Sequence, residues 1–290
     1  NILIKSKSGI SFKKFHYEHT RKVYSKCQST DLRNQITASV ERWCQSDVPV
    51  TLSLSGGLDS SIIAYTVSNE LSMKIPSYTF GIKGQQSEID IARRTADKFK
   101  INLKEVEIDE EELACTIPDM IRTIGEPYCG DIPAWFIYRE VNRDQHKVIL
   151  TGTGADELFG NYGKSKITLP KIARWIRYYN LKLSNFNNMR FCLTYFPNYL
   201  PQIQELDLFK NKASINEEYF EIKKPLKDAI YSYDKLTQLA NEFLLVTDRF
   251  SSKFSVEART PFLDQELEYY ILNHVRGRFK NMPFKFALRE

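Results

Sequence analysis

The stretch Val50-Thr51-Leu52-Ser53-Leu54 runs without a break into Ser55-Gly56-Gly57-Leu58-Asp59-Ser60-Ser61. An apolar run of strand length that meets Ser-Gly-Gly and then a helical pattern predicts strand, tight turn and helix in direct succession. In that arrangement the backbone N–H groups of the glycines and of the first helical turn converge on one concave spot suited to an anion. The hydroxyls of Ser55, Ser60 and Ser61 can add hydrogen bonds there. The segment is not a Walker A loop, because GxxxxGK[ST] is absent and the turn carries no lysine. A plain glycine turn would account for Gly56 and Gly57 but not for the hydroxyl and carboxylate residues around them.

Working outward, Val48 to Gly160 alternates short apolar strands with amphipathic helices. Strands are expected at Val50 to Leu54, Ser77 to Ile82, Leu103 to Ile108 and Val148 to Thr151. Helices are expected at Ser60 to Leu71, near Glu88 to Phe99 and near Glu110 to Ile124. The alternation predicts an α/β fold, a doubly wound and mostly parallel sheet with helices on both faces. Ligands in such sheets bind outside the carboxyl ends of the strands, which singles out the loops Ser55 to Asp59 and Gly152 to Asp156. Before this region, Leu32, Ile36, Val40 and Trp43 share one helical face, and the first residues alternate around Ser8-Gly9 as a small hairpin. After it, Lys171 to about Val246 reads as an appended helical region punctuated by Pro197, Pro201 and Pro225. Its aromatic residues, Trp175, Tyr178 and Tyr179 among them, sit at core spacing rather than as a base-stacking platform.

Composition narrows the class. With 42% hydrophobic and 27% charged residues, the chain is neither disordered nor fibrous. The net charge of +5 is too small to single out a nucleic-acid binder. Cys27, Cys44, Cys115, Cys129 and Cys192 are scattered with no CxxC, and His16 and His19 have no acidic or thiol ligand beside them, so no zinc site is expected. No apolar run approaches the ~20 residues of a membrane helix. A cytoplasmic protein is expected. A start without Met and an end inside a helical pattern suggest a piece of a longer chain.

The serine-glycine segment resembles the pyrophosphate-binding loop of the ATP pyrophosphatase superfamily, and asparagine synthetases in particular. Two further blocks agree: Leu150-Thr151-Gly152-Thr153-Gly154-Ala155-Asp156-Glu157-Leu158-Phe159-Gly160, and Asp248-Arg249 followed by Val256-Glu257-Ala258-Arg259-Thr260-Pro261-Phe262-Leu263-Asp264. The resemblance implies an ATP-dependent amide-forming ligase that works through an acyl-adenylate, with aspartate as the default acceptor and asparagine as product. It implies ATP and Mg²⁺, with Asp59 and Asp156 as metal ligands. It assigns the nucleotide to Leu54, Ser55, Gly56, Gly57, Asp59, Ser60, Ser61, Ile82 and Gly152, and brings Lys285 to the ATP phosphates. Adenine is expected to be read by the backbone of the strand Tyr78 to Ile82 and of Leu54. Arg249, Arg259 and Asp264 are expected to form a buried ion network within the third block.

The resemblance also shapes the expected organisation. Residues 1–30 look like the tail of a missing glutaminase-like N-terminal domain, and 31–290 like the synthetase domain, truncated before a further family lysine. A small carboxylate and an amine or ammonia are the implied partners; a membrane or nucleic acid is not. The family usually carries an acid where this chain has Thr153, and β-lactam synthetases a tyrosine, so the proton acceptor for amide formation falls to another residue, with Glu242 as candidate. Two alternatives stay open: a specialised amide ligase, either β-lactam synthetase-like or macrolactam-forming, and a nucleotide-binding relative without catalysis.

Overall fold

In a computed structural model, residues 2–6, 9–13, 29–84, 87–126, 130–159, 226–275 and 285–289 are described. The expected hairpin is present, with β1 (Ile2–Ser6) antiparallel to β2 (Gly9–Lys13) and Ser6 opposite Gly9. The helix expected from Asp31 is α1 (Ser29–Cys44), and it buries Leu32, Ile36 and Val40. Most of the expected appended helical region, up to Pro225, lies outside the described residues. From Leu226 onward helix is found, as α7 (Leu226–Tyr233), a π-helical segment Asp234–Phe243, and α8 (Leu244–Lys253).

Five parallel strands form the sheet: β3 (Val50–Ser53), β4 (Ser77–Ile82), β5 (Leu103–Ile108), β6 (Val148–Leu150) and β7 (Glu257–Arg259). Their spatial order is β5-β4-β3-β6-β7, so the chain moves from β3 outward in one direction and then returns to the other side of β3. The order therefore reverses between β3 and β6. A crevice at such a switch point is where open α/β sheets hold their ligands. The edge strand β7 was not expected: three residues, Glu257-Ala258-Arg259, are too short to show an alternating pattern.

Both faces of the sheet are covered. On one, Leu52, Leu54 and Leu150 pack with Val40 of α1, Ile63 of α2 (Leu58–Tyr65), Ala92 and Ala96 of α3 (Ser87–Phe99) and Phe262. On the other, Tyr78, Val106, Ile108 and Ile149 pack with Met120 of α4 (Glu110–Ile124), Phe136 of α5 (Ile132–Arg143) and Phe250 of α8. Burying side chains of this size on both faces is the main term stabilising the sheet. Trp135 fixes the second face, its ring edge-on to Phe250 and Phe254 with centroids 5.0 and 4.9 Å away.

Two elements depart from the expected pattern. The helix expected over Ser60 to Leu71 begins earlier, at Leu58, and passes into a π-helical turn at Thr66–Glu70. There the Ser68 hydroxyl donates to the Ala64 carbonyl at 2.8 Å and Leu71 N–H bonds back to Thr66, five residues away. Helix α5 was not anticipated, because Ala134 through Tyr138 are all buried and leave no polar stripe to mark a period. Its start signal is nonetheless in the sequence: Asp131 accepts from the Ala134 N–H, and Pro133 occupies the first turn.

The third block is clamped to α1. Asp264 takes a bidentate fork from Arg42 at 2.5 and 3.1 Å, the Trp43 indole N–H at 3.1 Å, and the Glu266 and Leu267 N–H groups. Arg259 donates to the carbonyls of Trp43 and Gln45 at 2.9 and 2.7 Å and pairs with Glu257. The expected mutual network of Arg249, Arg259 and Asp264 is thus corrected: Arg259 and Asp264 each reach the end of α1, and Arg249 is exposed and outside the cluster. Burial alone would raise the Asp264 pKa, but Arg42, the Leu267 N–H and Trp43 outweigh it and hold the carboxyl below the usual range.

Because the folded pKa of Asp264 is depressed, its contribution is complete above the unfolded value of about 4 and is lost as pH falls through the folded one. Asp264→Ala is expected to lower unfolding free energy by about 2 kcal/mol near neutral pH. Urea titrations of both proteins at neutral and acid pH should show the gap narrow as pH falls. A gap that stays constant or widens in acid contradicts the clamp.

Candidate functional site

At the switch point the loops after β3 and β6 touch. A Cβ added to Gly152 would stand 3.1 Å from the Asp59 Cβ and 3.2 Å from the Ser60 nitrogen, tighter than side chains ordinarily pack, so glycine suits the close approach of the second loop to the first. The second loop is pinned from behind, since Thr151 N–H bonds to the Arg259 carbonyl at 2.8 Å. A strand end followed by a helix in both places then sets Asp59 in the first turn of α2 and Asp156 in the first turn of α6 (Ala155–Phe159).

Both carboxylates reach one cation. Lys285 Nζ contacts Asp59 Oδ2 and lies 3.0 Å from Asp156 Oδ1. The lysine side chain is only 8% exposed and the two aspartates about a fifth, so the triad is largely removed from water. Burial pushes the Asp59 carboxyl above its usual range, Lys285 opposes that rise through its hydrogen bond and charge, and the neighbouring Asp156 adds to it. The second oxygen, Asp59 Oδ1, is buried without a hydrogen-bond partner among the described residues. A buried acceptor of this kind carries a desolvation cost that a ligand or ion would offset.

The serine-glycine turn divides its work in a way that the sequence did not reveal. Gly56 has φ +74, and its missing side chain makes room for α3: a Cβ there would fall 2.6 Å from Ile91 Cγ2 and 2.7 Å from the Ala92 nitrogen. Gly57 has an ordinary φ of −65 and serves as the N-cap of α2 with no side chain to cap it. The N–H groups of the first turn are therefore available to an anion. Ser60 is buried and closes the turn, accepting from Ser55 N–H and donating to the Gly57 carbonyl, each at 3.2 Å. Ser55 Oγ lies 3.0 Å from Ser60 Oγ and accepts from Gly57 N–H at 3.3 Å. The Ser60 hydroxyl, expected to serve an anion, thus also holds the loop together. The Ser61 hydroxyl makes no hydrogen bond among the described residues.

Leu54 is fully buried and its N–H bonds to Tyr78 O at 2.8 Å, the last rung between β3 and β4. Beyond Tyr78, β4 continues beside β5 alone. Ser77 and Lys83 direct their N–H groups to β5. By the alternation of a strand, Phe80 and Ile82 direct theirs to the β3 side, where no strand takes them. Both lie in the strand Tyr78 to Ile82 expected to read adenine, where Ile82 alone is named as a nucleoside-contacting position. Thr153 accepts from the Thr151 hydroxyl at 3.1 Å, and Gly154, at φ +94, presses on Leu263 of the third block. Glu242 accepts from Gln238 at 3.2 Å on the Asp234–Phe243 segment, which packs against α6, and makes no direct contact with the triad.

Among the described residues no cluster of three His, Cys, Asp or Glu side chains could hold a metal alone, and no helix is long and apolar enough to cross a membrane. Cys44 is buried, its thiol pushed up to about 11 by desolvation, and Cys115 is exposed. His16, His19, Cys27, Cys129 and Cys192 lie outside the described residues. A cleft of about 1090 Å³ opens toward the start of β6, between Lys147, Asp248 and Glu257, remote from the carboxylates and without Cys or His in its walls.

The two glycines of the turn should differ sharply. Gly56→Ala combines a left-handed φ with a clash against α3 and is expected to cost about 1–3 kcal/mol of stability. Gly57→Ala meets only Ser55 Oγ, at 3.3 Å, and should cost much less. Thermal or urea unfolding of both variants checks this; equal losses would contradict the division of roles.

The family model described as asparagine synthase matches residues 31–290. Asparagine synthetase (glutamine-hydrolyzing) 1 of Bacillus subtilis (strain 168) is 27% identical over 304 residues, covering 90% of this chain and 46% of that protein. Amidase chry2 of Gibberella zeae is 30% identical over 148 residues, covering 45% of this chain and 22% of that protein. Among solved structures, the NH3-dependent NAD synthetase from Campylobacter jejuni overlaps 74% of this chain and 96% of its own at 14% identity, with a TM-score of 0.38. The chain spans less than half the length of these curated relatives. With the family model matching everything from residue 31 to residue 290, this chain belongs to the asparagine synthase family.

Proposed function

We propose that this chain is the ATP-using part of an amide ligase that activates a carboxylate as its adenylate. The observation that carries the reading is the meeting of Asp59 and Asp156, from two different strand-end loops, on a single cation at the switch point. In the reaction a carboxylate oxygen attacks the α-phosphorus and the bond to pyrophosphate breaks. An amine nitrogen then attacks the acyl carbon, loses a proton, and AMP leaves.

The chain's own groups suit the charges of that sequence. The N–H groups of the uncapped first turn of α2, with Gly56 and Gly57 before it, are donors aimed where leaving pyrophosphate gathers negative charge. Asp59 and Asp156 offer hard oxygens, one of them without a partner, that fit Mg²⁺ held jointly with phosphate. When bound there the ion would neutralise phosphate charge. Leu54 and the β3-side backbone of Phe80 and Ile82 offer a rim for the purine, where backbone rather than side-chain identity would do the reading. Ser55, Ser61 and Gly152 border the same crevice.

For the nitrogen step, a threonine hydroxyl at 153 has no accessible pKa near neutrality and cannot take the amine proton. Glu242, on the segment packed against α6, is the proposed base. Aspartate is the default acceptor from the family. Thr153 favours a second reading, a specialised amide ligase acting on another carboxylate. Residues 1–30 are proposed to join a glutaminase-like domain that supplies ammonia, and a cytoplasmic setting fits soluble substrates of this kind.

ATP–pyrophosphate exchange in the full-length protein, run across candidate carboxylates, tests the reading. Asp59→Asn and Asp156→Asn are each expected to lower exchange by roughly 10²–10³-fold while leaving the fold intact. Near-normal exchange in either variant removes that residue from the site. Aspartate-dependent exchange supports the default, another acid the specialised ligase, and none with any acid overturns the ligase reading. Glu242→Gln should slow amide formation more than adenylation; equal slowing of both steps rules it out as the base.

A further inference from the structure

We propose that Lys285 is a built-in counter-cation that closes the Asp59–Asp156 cradle to free divalent ions and yields it only to a metal–polyphosphate complex. The identity of that complex rests on the ligase reading; the closing of the cradle does not. One ammonium contacts Asp59 Oδ2 and lies 3.0 Å from Asp156 Oδ1, the same pair of carboxylates that would bind a hard cation. A metal ion and an ammonium cannot both hold these two oxygens, because like charges at such spacing repel strongly where little water separates them.

Charge decides which ligand can displace the lysine. Two carboxylates and one ammonium leave the triad at a net charge of −1, so a free divalent ion would have to expel a buried cation from both carboxylates while bringing no anion in exchange. A polyphosphate brings its own anionic oxygens. As the metal takes the carboxylates, the ammonium finds a new partner in phosphate, and no charge is left bare. Asp59 Oδ1, buried and without a hydrogen-bond partner among the described residues, is an oxygen that the incoming metal would take once the lysine moves.

The lysine is placed to make this exchange. Its backbone is in the left-handed region, φ 51, a strained conformation for a residue with a Cβ, just ahead of the helix Phe286–Arg289. Ala287 and Leu288 of that helix pack against the core, so the main chain is anchored while the long side chain can swing. Burial of the ammonium at 8% exposure keeps solvent cations from competing with it in the free protein.

Manganese binding, followed by the electron paramagnetic resonance of the free ion at mildly alkaline pH, tests the proposal without any turnover. Nucleotide-free wild-type protein should bind Mn²⁺ at least tenfold more weakly than Lys285→Met, and adding Asp59→Asn to that variant should abolish the gain. Adding α,β-methylene-ATP to the wild type should remove more free Mn²⁺ than the same concentration of the analogue removes without protein. The proposal is overturned if nucleotide-free wild type binds Mn²⁺ as tightly as Lys285→Met. It is equally overturned if the analogue binds and the wild type still holds the ion no more tightly with it than without it, a comparison that decides the matter even if the variant does not fold. Failure of the analogue to bind at all would count against the ligase reading alone, since the comparison of wild type with Lys285→Met needs no nucleotide.

Discussion

At Gly152 the loops after β3 and β6 lie so close that a Cβ would crowd Asp59 and Ser60 at 3.1 and 3.2 Å, and that contact orders the rest of the site. The close approach of the glycine backbone to Asp59 and Ser60 brings two strand-end loops into contact across the crevice between β3 and β6. Without it, Asp59 and Asp156 would sit on separate loops at the same sheet edge, each a half-exposed acid. With it, their oxygens meet around one ammonium in a largely dry place, where charges count for more than at the surface. The parallel pairing of β3 with β6, Val50 to Val148 through Leu52 to Leu150, sets the level at which both loops leave the sheet.

What holds the second loop lies further along the chain. Strand β7 pairs with β6 and its Arg259 carbonyl takes the Thr151 N–H, while Leu263 fills the space that Gly154 leaves open. The clamp of Asp264 and Arg259 on the end of α1 fixes that third block in turn. The three sequence blocks are thus one mechanical unit: the first and second carry the carboxylates, and the third sets the height of the second. Their ion pairs with α1 serve position, and their partial burial makes each unpaired alternative costly.

The sheet and the two loops were legible in the sequence because their signals are local. Apolar runs such as Val50–Ser53 and Val148–Leu150 end abruptly in glycine, and α4 falls at Glu110–Ile124 where its period places it. Less legible were features that depend on contacts distant in sequence. Nothing in Glu257-Ala258-Arg259 announces an edge strand, and α5 is hidden because both of its faces meet protein. Gly56 looks like a phosphate-binding glycine, yet its missing Cβ makes way for Ile91 and Ala92. Ser60, read as a ligand group, also makes hydrogen bonds inside the turn. Lys285 was placed near the phosphates by resemblance; its grip on both aspartates has no sequence signal, since 226 positions separate it from Asp59.

The central claim is that Asp59 and Asp156 together hold the metal of a bound nucleotide. Anomalous diffraction from crystals grown with Mn²⁺ and α,β-methylene-ATP measures this directly, because manganese scatters where lighter ions cannot be told from water. The account predicts one manganese peak in coordination distance of both carboxylates, with Lys285 Nζ moved off them and onto phosphate oxygens. A manganese bound to the nucleotide away from both aspartates, with Lys285 still bridging them, would contradict it.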